Sequence, residues 1–133
     1  TFIQMVLWAQ NSLSAIPEIS LFTNEKSILP GITAFDTSGH SPGHSSILVE
    51  SEGSKLIIGG DVFRNTYTSL KNPDFIPDTD MDPVKAKKTR HEILDLLTKE
   101  KIAYLGYHFP FPGVGHIIAH EKSYEFIPAS IRW

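Results

Sequence analysis

The sequence contains no cysteine among its 133 residues. Disulfide bonds and cysteine-ligated zinc sites are therefore excluded, and any bound metal must be held by histidine or carboxylate side chains. No apolar run reaches the roughly 20 residues that a membrane-spanning helix needs, so we expect no membrane segment. The formal net charge is only -3, which gives no reason to expect nucleic acid as a partner.

The residues that are present indicate a globular, soluble protein. Hydrophobic residues make up 41% of the sequence and charged residues 20%, a balance typical of a chain that folds around a core. We expect residues 1–133 to form a single domain, which is a fragment of a larger fold for the reasons given below. We expect no signal peptide, and the compartment stays open between cytoplasm, periplasm and secretion.

The segment from Thr37 to Asp61 predicts a β-hairpin with chemically active residues at its open end. His40 and His44 lie in a glycine- and proline-rich turn, and two apolar runs at 47–49 and 56–58 flank a tight turn before Asp61. Because a hairpin brings its ends together, we expect His44 and Asp61 to lie about 5 Å apart, the spacing of one strand pair. A histidine beside a carboxylate is metal-ligand chemistry.

The rest of the chain predicts an α+β or α/β fold. Apolar residues recur at helical spacing over residues 1–13, and Asp82-Pro83 marks the start of a helix to about residue 98. Its inward face is predicted to be Ile93, Leu94 and Leu97. Strands are predicted at 19–22, 32–35, 102–107 and 124–127, with an irregular loop over 62–80 and a turn-rich loop over 109–116.

Four of the six histidines lie beside glycine, proline or aromatic turn residues at the end of an apolar run: His40, His44, His108 and His116. For any one of them, a loop histidine bonded to a backbone carbonyl is the simpler interpretation. The case for a site therefore depends on the set rather than on any member. The other two histidines, at positions 91 and 120, are expected to be solvated surface residues.

The motif Gly39-His40-Ser41-Pro42-Gly43-His44, followed by Gly60-Asp61 and then by His108, resembles the second half of the metallo-β-lactamase superfamily. The loop over residues 107–116 is similar to the branch that contains methyl parathion hydrolase and its lactonase-like relatives. The resemblance extends from about residue 28 to the C-terminus. It implies the C-terminal half of an αββα sandwich, with a mostly antiparallel or mixed sheet and flanking helices.

The resemblance also implies a site for two divalent metal ions. Zinc is expected first, with manganese, cobalt or iron as alternatives. His44 would bind the first ion and His108 the second, while Asp61 would bridge the two as the catalytic carboxylate. His40 and His116 would support the site without binding a metal themselves.

The activity implied is hydrolysis of a small-molecule ester, lactone or phosphotriester by a hydroxide that two metals activate. Three aromatic residues are candidates for lining an apolar substrate pocket: Trp8, Phe63 and Phe109. For each of them, packing in the core is the simpler interpretation.

The sequence departs from the superfamily because it lacks the HxHxDH motif that carries most metal ligands in the first half of that fold. Three candidate ligands are too few for a tight two-metal site, so we expect the chain alone to be inactive and to need the missing N-terminal half as its partner. One alternative is a non-catalytic interaction or oligomerisation fragment, such as a homodimer formed through an exposed sheet face. Another is a redox member of the superfamily that uses iron and oxygen.

Overall fold

The computed structural model describes residues 2–23 and 26–130. Within them, a mixed seven-stranded sheet holds its strands in the order in which they occur in the chain. The strands are β1 (Lys26–Leu29), β2 (Ile32–Asp36), β3 (Ser45–Ser51), β4 (Ser54–Ile58), β5 (Ala103–Leu105), β6 (Val114–Ala119) and β7 (Tyr124–Pro128). The helices are α1 (Phe2–Ser14), α2 (Thr68–Lys71) and α3 (Pro83–Glu100). The predicted α+β class is confirmed.

The direction of the strands decides which loops meet at one edge of the sheet. Neighbouring strands are antiparallel except β4 and β5, which are parallel. Parallel neighbours need a long crossover, and the segment that contains α2 and α3 provides it. The ends of β4 and β5 and the start of β3 therefore lie at the same edge.

Residues at both ends of α3 form hydrogen bonds with backbone groups of the terminal turns. The Asp82 side chain accepts a hydrogen bond from the backbone N–H of Lys85 at 3.0 Å, and Pro83 occupies the first turn. Lys101 closes the helix in the left-handed conformation with φ 54°. This confirms the predicted helix, which extends to Glu100.

The hydrophobic core lies between α3 and one face of the sheet. Ile93, Leu94 and Leu97 are buried as predicted, and α3 packs against β6. The hairpin of β3 and β4 is also confirmed, and it pairs Leu48 with the core residue Ile57. On the strands, residues next to core positions remain exposed, as at Ile58, Ile118 and Ile127.

Two predictions about local structure are wrong, and a third is incomplete because the loop predicted over 62–80 contains the short helix α2. Residues 18–23 form no strand, because this run is exposed throughout and no described strand pairs with it. The loop predicted over 109–116 ends at Gly113, because β6 already begins at Val114 and pairs with β7. The predicted first helix is present as α1, with Thr1 outside the described residues, but the described side chains of α1 are all exposed.

Over the described residues, helices are too short or too polar to cross a lipid bilayer.

Candidate metal centre

His44, Asp61 and His108 meet at the edge formed by the start of β3 and the ends of β4 and β5. The backbone N–H of Asp61 donates to Nε2 of His44 at 3.0 Å. Nε2 of His108 donates to Oδ1 of Asp61 at 2.8 Å. The structure thus brings together the three residues that the sequence singles out as candidate ligands, while their binding of metal stays a prediction.

The ring of His44 is held with one particular nitrogen facing Asp61. Its Nδ1 lies 3.0 Å from the carbonyl oxygen of Thr37, which can only accept, so Nδ1 carries the proton. Nε2 is then the acceptor of the Asp61 N–H. The Thr37 hydroxyl lies 2.8 Å from Nδ1 and 2.9 Å from the hydroxyl of the buried Ser46. These contacts hold the His44 ring on the side opposite Nε2.

This environment also favours the neutral form of His44. Burial is the largest influence on the ring and lowers the pKa of His44, outweighing the opposing effect of its hydrogen bond to the Thr37 carbonyl. A neutral imidazole with Nδ1–H bonded to a carbonyl and a lone pair on Nε2 is the form that ligates metals in proteins.

Gly60 allows the close approach of Asp61 to His44. Its φ is +56°, and a Cβ at this position would lie 2.8 Å from Nε2 of His44. A side chain would therefore be strained and would also press on the nitrogen that faces Asp61. This gives a physical reason for the glycine before Asp61.

His40 lies beside this cluster. Its Nδ1 is 3.1 Å from Oδ1 of Asp80, whereas its Nε2 is 3.9 Å from Oδ2 of Asp61. Its ring meets the ring of His44 edge-on, with 6.0 Å between centroids. The position suits the supporting role expected for His40, and that role stays a prediction.

Sequence reasoning missed two residues behind His40. Asp80 contacts His40 through one carboxylate oxygen and Nη2 of Arg90 through the other, at 3.2 Å. Arg90 is buried on α3. It lies four residues after Ala86 and three before Ile93, on the inward stripe of the helix, and this spacing is the signal that could have identified it as a buried cation.

A narrow cleft joins these groups. It is lined by the two histidines that flank Asp61, by the Asp80–Arg90 pair, and by residues of the 62–80 loop: His40, Asp61, Arg64, Pro77, Thr79, Asp80, Arg90 and His108. The loop predicted to be irregular therefore forms one wall of the cleft beside the candidate ligands.

The structure does not bring His116 to the site. It lies within β6, pairs with Ile127, and is exposed in a groove beside Lys55 and Lys101. Because β6 starts at Val114, its second and third residues already lie inside the sheet, away from the edge that holds Asp61. The supporting role expected for His116 is thus corrected.

Within the described residues, the cleft beside Asp61 is lined by none of the three aromatic candidates, and a substrate-binding role for Trp8 stays a prediction. Phe63 and Phe109 are buried in the core, where their rings stack at 6.1 Å and both contact Tyr104. Trp8 is 73% exposed on α1. Phe63 and Phe109 thus belong to the core cluster that also contains buried residues of α3.

The donor set fits a divalent metal in kind but not in number. Two imidazoles and a carboxylate are suitable ligands for zinc, manganese, cobalt or iron. Within residues 2–23 and 26–130, however, no group of three or more such side chains has a spacing that would hold an ion. Further ligands from outside these residues would be needed for two ions.

Comparison with known proteins gives relatives of one kind. No family model matches the chain. An N-acyl homoserine lactonase of Bacillus thuringiensis is 31% identical over 104 residues, which are 78% of this chain and 38% of the relative. An N-acyl homoserine lactonase of a Bacillus sp. is 27% identical over the same shares. The chain therefore spans less than two fifths of the length of these curated relatives.

Solved structures that align with the chain include a lactonase and a hydrolase of the beta lactamase superfamily. AidC, a dizinc quorum-quenching lactonase in complex with a product, aligns with a TM-score of 0.86 and 26% identity over 96% of this chain and 44% of its own. The hydrolase AbOPH of the beta lactamase superfamily aligns with a TM-score of 0.78 and 29% identity over 83% of this chain and 38% of its own.

Proposed function

Because the chain has the fold of the C-terminal part of the metallo-β-lactamase superfamily, we propose that it supplies part of the active site of a two-metal hydrolase that opens lactones. The observation that carries this proposal is the meeting of His44, Asp61 and His108 at one sheet edge. The lactonase names of the relatives favour a lactone over the other ester-like substrates expected from the sequence.

Each of the three residues has a role that its geometry supports. His44 would hold one ion through Nε2, and His108 would hold the other through Nε2 in the tautomer that carries its proton on Nδ1. The two oxygens of Asp61 would bridge the pair. Bound metals of this kind supply an activated water and polarise the carbonyl that is attacked.

Neighbouring backbone groups fix the tautomer and the orientation of His44. The carbonyl of Thr37 keeps the proton of His44 on Nδ1, so that Nε2 needs no rearrangement before it binds. The backbone N–H of Asp61 keeps that ring turned toward the carboxylate. Zinc is the metal to test first, and manganese, cobalt and iron are the alternatives.

The substrate within this class is open to a direct test. N-acyl homoserine lactones are the first choice because relatives and one structural neighbour carry that name or product. A phosphotriesterase activity like that of methyl parathion hydrolase is the alternative. The remaining metal ligands would come from an N-terminal part with an HxHxDH motif, and we call residues 1–133 joined to that part the complete protein.

The deciding experiment measures metal content and lactone opening together. The complete protein, loaded with zinc, should bind about two metal equivalents. It should also release protons from N-hexanoyl homoserine lactone in a pH-indicator assay. Asp61→Ala should abolish the release, whereas Asp78→Ala, at an exposed acid outside the cleft, should not. A metal-free protein of unchanged stability that opens no lactone would contradict the proposal.

A non-catalytic interaction fragment is the second candidate. The exposed apolar residues Ile58, Ile118 and Ile127 favour it, because such residues tend to be covered by a partner. Light scattering on residues 1–133 distinguishes the candidates. A stable dimer without metal would favour the interaction fragment, and a monomer would count against it.

A further inference from the structure

We infer that Asp80, held in place by the buried Arg90, fixes the tautomer of His40 and keeps the Nε2 lone pair of that ring facing the cleft of Asp61 and His108. Asp80 and Arg90 are thus positioning residues for His40. The inference deepens the proposed function and rests on it for its consequence in turnover, whereas its structural content can be tested without metal or substrate.

The guanidinium of Arg90 is fixed from several sides. The residue is 2% exposed. Its Nη1 donates to the carbonyl oxygens of Pro73 at 3.0 Å and Phe75 at 2.8 Å, and its Nε donates to the carbonyl of Val62 at 3.4 Å. These carbonyls all belong to the 62–80 loop. The remaining nitrogen, Nη2, is thereby directed at Asp80.

The carboxylate of Asp80 determines which nitrogen of His40 carries the proton. The side chain of Asp80 is 4% exposed. Its Oδ2 accepts a hydrogen bond from Nη2 of Arg90, and its Oδ1 lies 3.1 Å from Nδ1 of His40. An ionised carboxylate beside a guanidinium can only accept hydrogen bonds, so Nδ1 of His40 must carry a proton. In the neutral ring, Nε2 then has the lone pair.

The backbone reinforces this arrangement. The N–H of Met81 donates to the carbonyl of His40 at 3.1 Å, and the N–H of Asp82 donates to the carbonyl of Gly39 at 2.9 Å. Gly39 packs so closely on Ala86 of α3 that a Cβ would collide with the helix backbone. The turn that carries His40 is therefore joined to the segment that carries Asp80 by more than the side-chain bond.

The lone pair of His40 faces an acceptor rather than a donor. Nε2 lies 3.9 Å from Oδ2 of Asp61, which is too long for a hydrogen bond. Two acceptors that face each other across a cleft leave room for a cation or for a donor such as a water or a substrate hydroxyl. The tautomer of His40 decides whether this side of the cleft accepts or donates.

The test is the Asp80→Asn variant, which keeps the shape and removes the charge. Arg90 offers only donors, so the amide oxygen of Asn must face Arg90 and the amide NH₂ must face Nδ1 of His40. Nδ1 then has to accept, and the proton moves to Nε2. Nitrogen-15 NMR of the metal-free protein should show Nδ1–H for His40 in the wild type and Nε2–H in Asp80→Asn.

The matched control is Asp74→Asn. Asp74 also pairs with a histidine, because its Oδ1 lies 3.0 Å from Nε2 of His91, but this pair is exposed and outside the cleft. The control should leave the tautomer of His40 unchanged. A wild-type His40 with its proton on Nε2, or a tautomer that does not change in a folded Asp80→Asn protein, would overturn the inference. The wild-type measurement decides the matter even if the variant does not fold.

A second readout separates positioning from mere structural support. With zinc bound to the complete protein, Asp80→Asn should lower kcat/KM for the lactone by about 10–100-fold while Asp74→Asn leaves it unchanged. Reversal of the tautomer with unchanged kcat/KM would contradict the positioning role. If the wild type opens no lactone at all, the proposed function fails, and the NMR result still decides whether Asp80 sets the tautomer.

Discussion

The backbone N–H of Asp61 donates to Nε2 of His44 across 3.0 Å, although the two residues are 17 positions apart in the sequence. The nitrogen proposed to bind one metal is thus already turned toward the residue proposed to bridge both. A metal at His44 would replace a hydrogen bond with a coordinate bond and would leave the ring where it is. Such preorganisation lowers the cost of assembling a site.

Replacement of the carboxylate should weaken metal binding without disturbing this hydrogen bond. Asp61→Asn keeps the backbone donor to His44 but removes the charge that a bridging ligand contributes. We expect the affinity of the complete protein for zinc to fall by at least about tenfold, measured by competition with a chromogenic chelator. Asp78→Asn should retain the wild-type affinity. An unchanged affinity in Asp61→Asn would show that this carboxylate does not bind metal.

Replacement of Gly60 should act on both stability and the site. Gly60→Ala places a non-glycine residue at φ +56° and a Cβ at 2.8 Å from Nε2 of His44. The backbone conformation alone should cost about 1–3 kcal/mol in the free energy of unfolding.

Gly53→Ala is the matched control, because Gly53 has φ +79° but a Cβ there would meet nothing within 4 Å. Both variants should lose stability in urea unfolding. Only Gly60→Ala should also lose zinc affinity, and equal affinities in the two variants would mean that the contact with His44 does not matter.

The inward face of α3 makes a separate prediction about stability. Leu97 is fully buried in the core, so Leu97→Ala should lower the free energy of unfolding by about 2–5 kcal/mol. Val84 lies on the same helix and is 80% exposed. Val84→Ala should change the stability by no more than about 0.5 kcal/mol. A similar small change at Leu97 would mean that the helix does not pack as described.

The sequence predicted the parts of this fold that depend on local signals. Asp82 and Pro83 marked the start of α3 because a capping side chain and a proline at the first turn act within a few residues. The tight turn before β4 marked the hairpin for the same reason, and the hairpin then placed His44 beside Asp61. The apolar run before His108 marked that residue as a candidate, whereas its place beside Asp61 followed from the resemblance.

The parts that were missed depend on tertiary structure. His116 lies in a turn-rich stretch, but its pairing with Ile127 is decided by a strand that comes later in the chain. Phe63 and Phe109 come a few residues after strand ends, yet both are buried in the core, where each packs against Tyr104. Arg90 could be placed on the inward stripe of α3, whereas its partner Asp80 lies in a loop without periodicity.

The stability of the metal-free protein should depend on pH through His44. Burial lowers the pKa of His44 in the folded state below its ordinary value of 6.5. As the pH falls through 6.5, the unfolded chain takes up this proton before the folded protein does. The stability contributed by His44 is therefore complete above about pH 6.5 and is lost as the pH falls toward the lowered pKa.

Urea unfolding with a chelator present, at pH 8 and at pH 5.5, measures this effect. His44→Gln has no proton to gain at this position, so it should lose less stability than the wild type between the two pH values. Equal losses in both proteins would show that the pKa of His44 is not lowered by folding. The comparison removes the contribution of the other histidines, because both proteins share them.

The last prediction concerns what residues 1–133 can do alone. Two-metal hydrolysis needs ions that are held by enough ligands to stay in place, and here two ions would share His44, Asp61 and His108. Water would have to fill the other coordination positions, and each absent imidazole removes affinity. We therefore expect residues 1–133, with zinc, manganese or cobalt, to open lactones, esters and phosphotriesters far below the roughly 1–10³ per second of typical enzymes.

Supplying the N-terminal part should restore turnover, whether it is joined to the chain or added as a separate chain. Restoration should require Asp61 and should not require Asp78, so that Asp61→Ala is inactive and Asp78→Ala is active in the complete protein. Circular dichroism of the isolated chain separates loss of ligands from loss of fold, because an inactive chain that keeps its helix and strand signal lacks only ligands. Enzyme-like turnover by monomeric residues 1–133 would mean that His44, Asp61 and His108 lie in a site that is already complete.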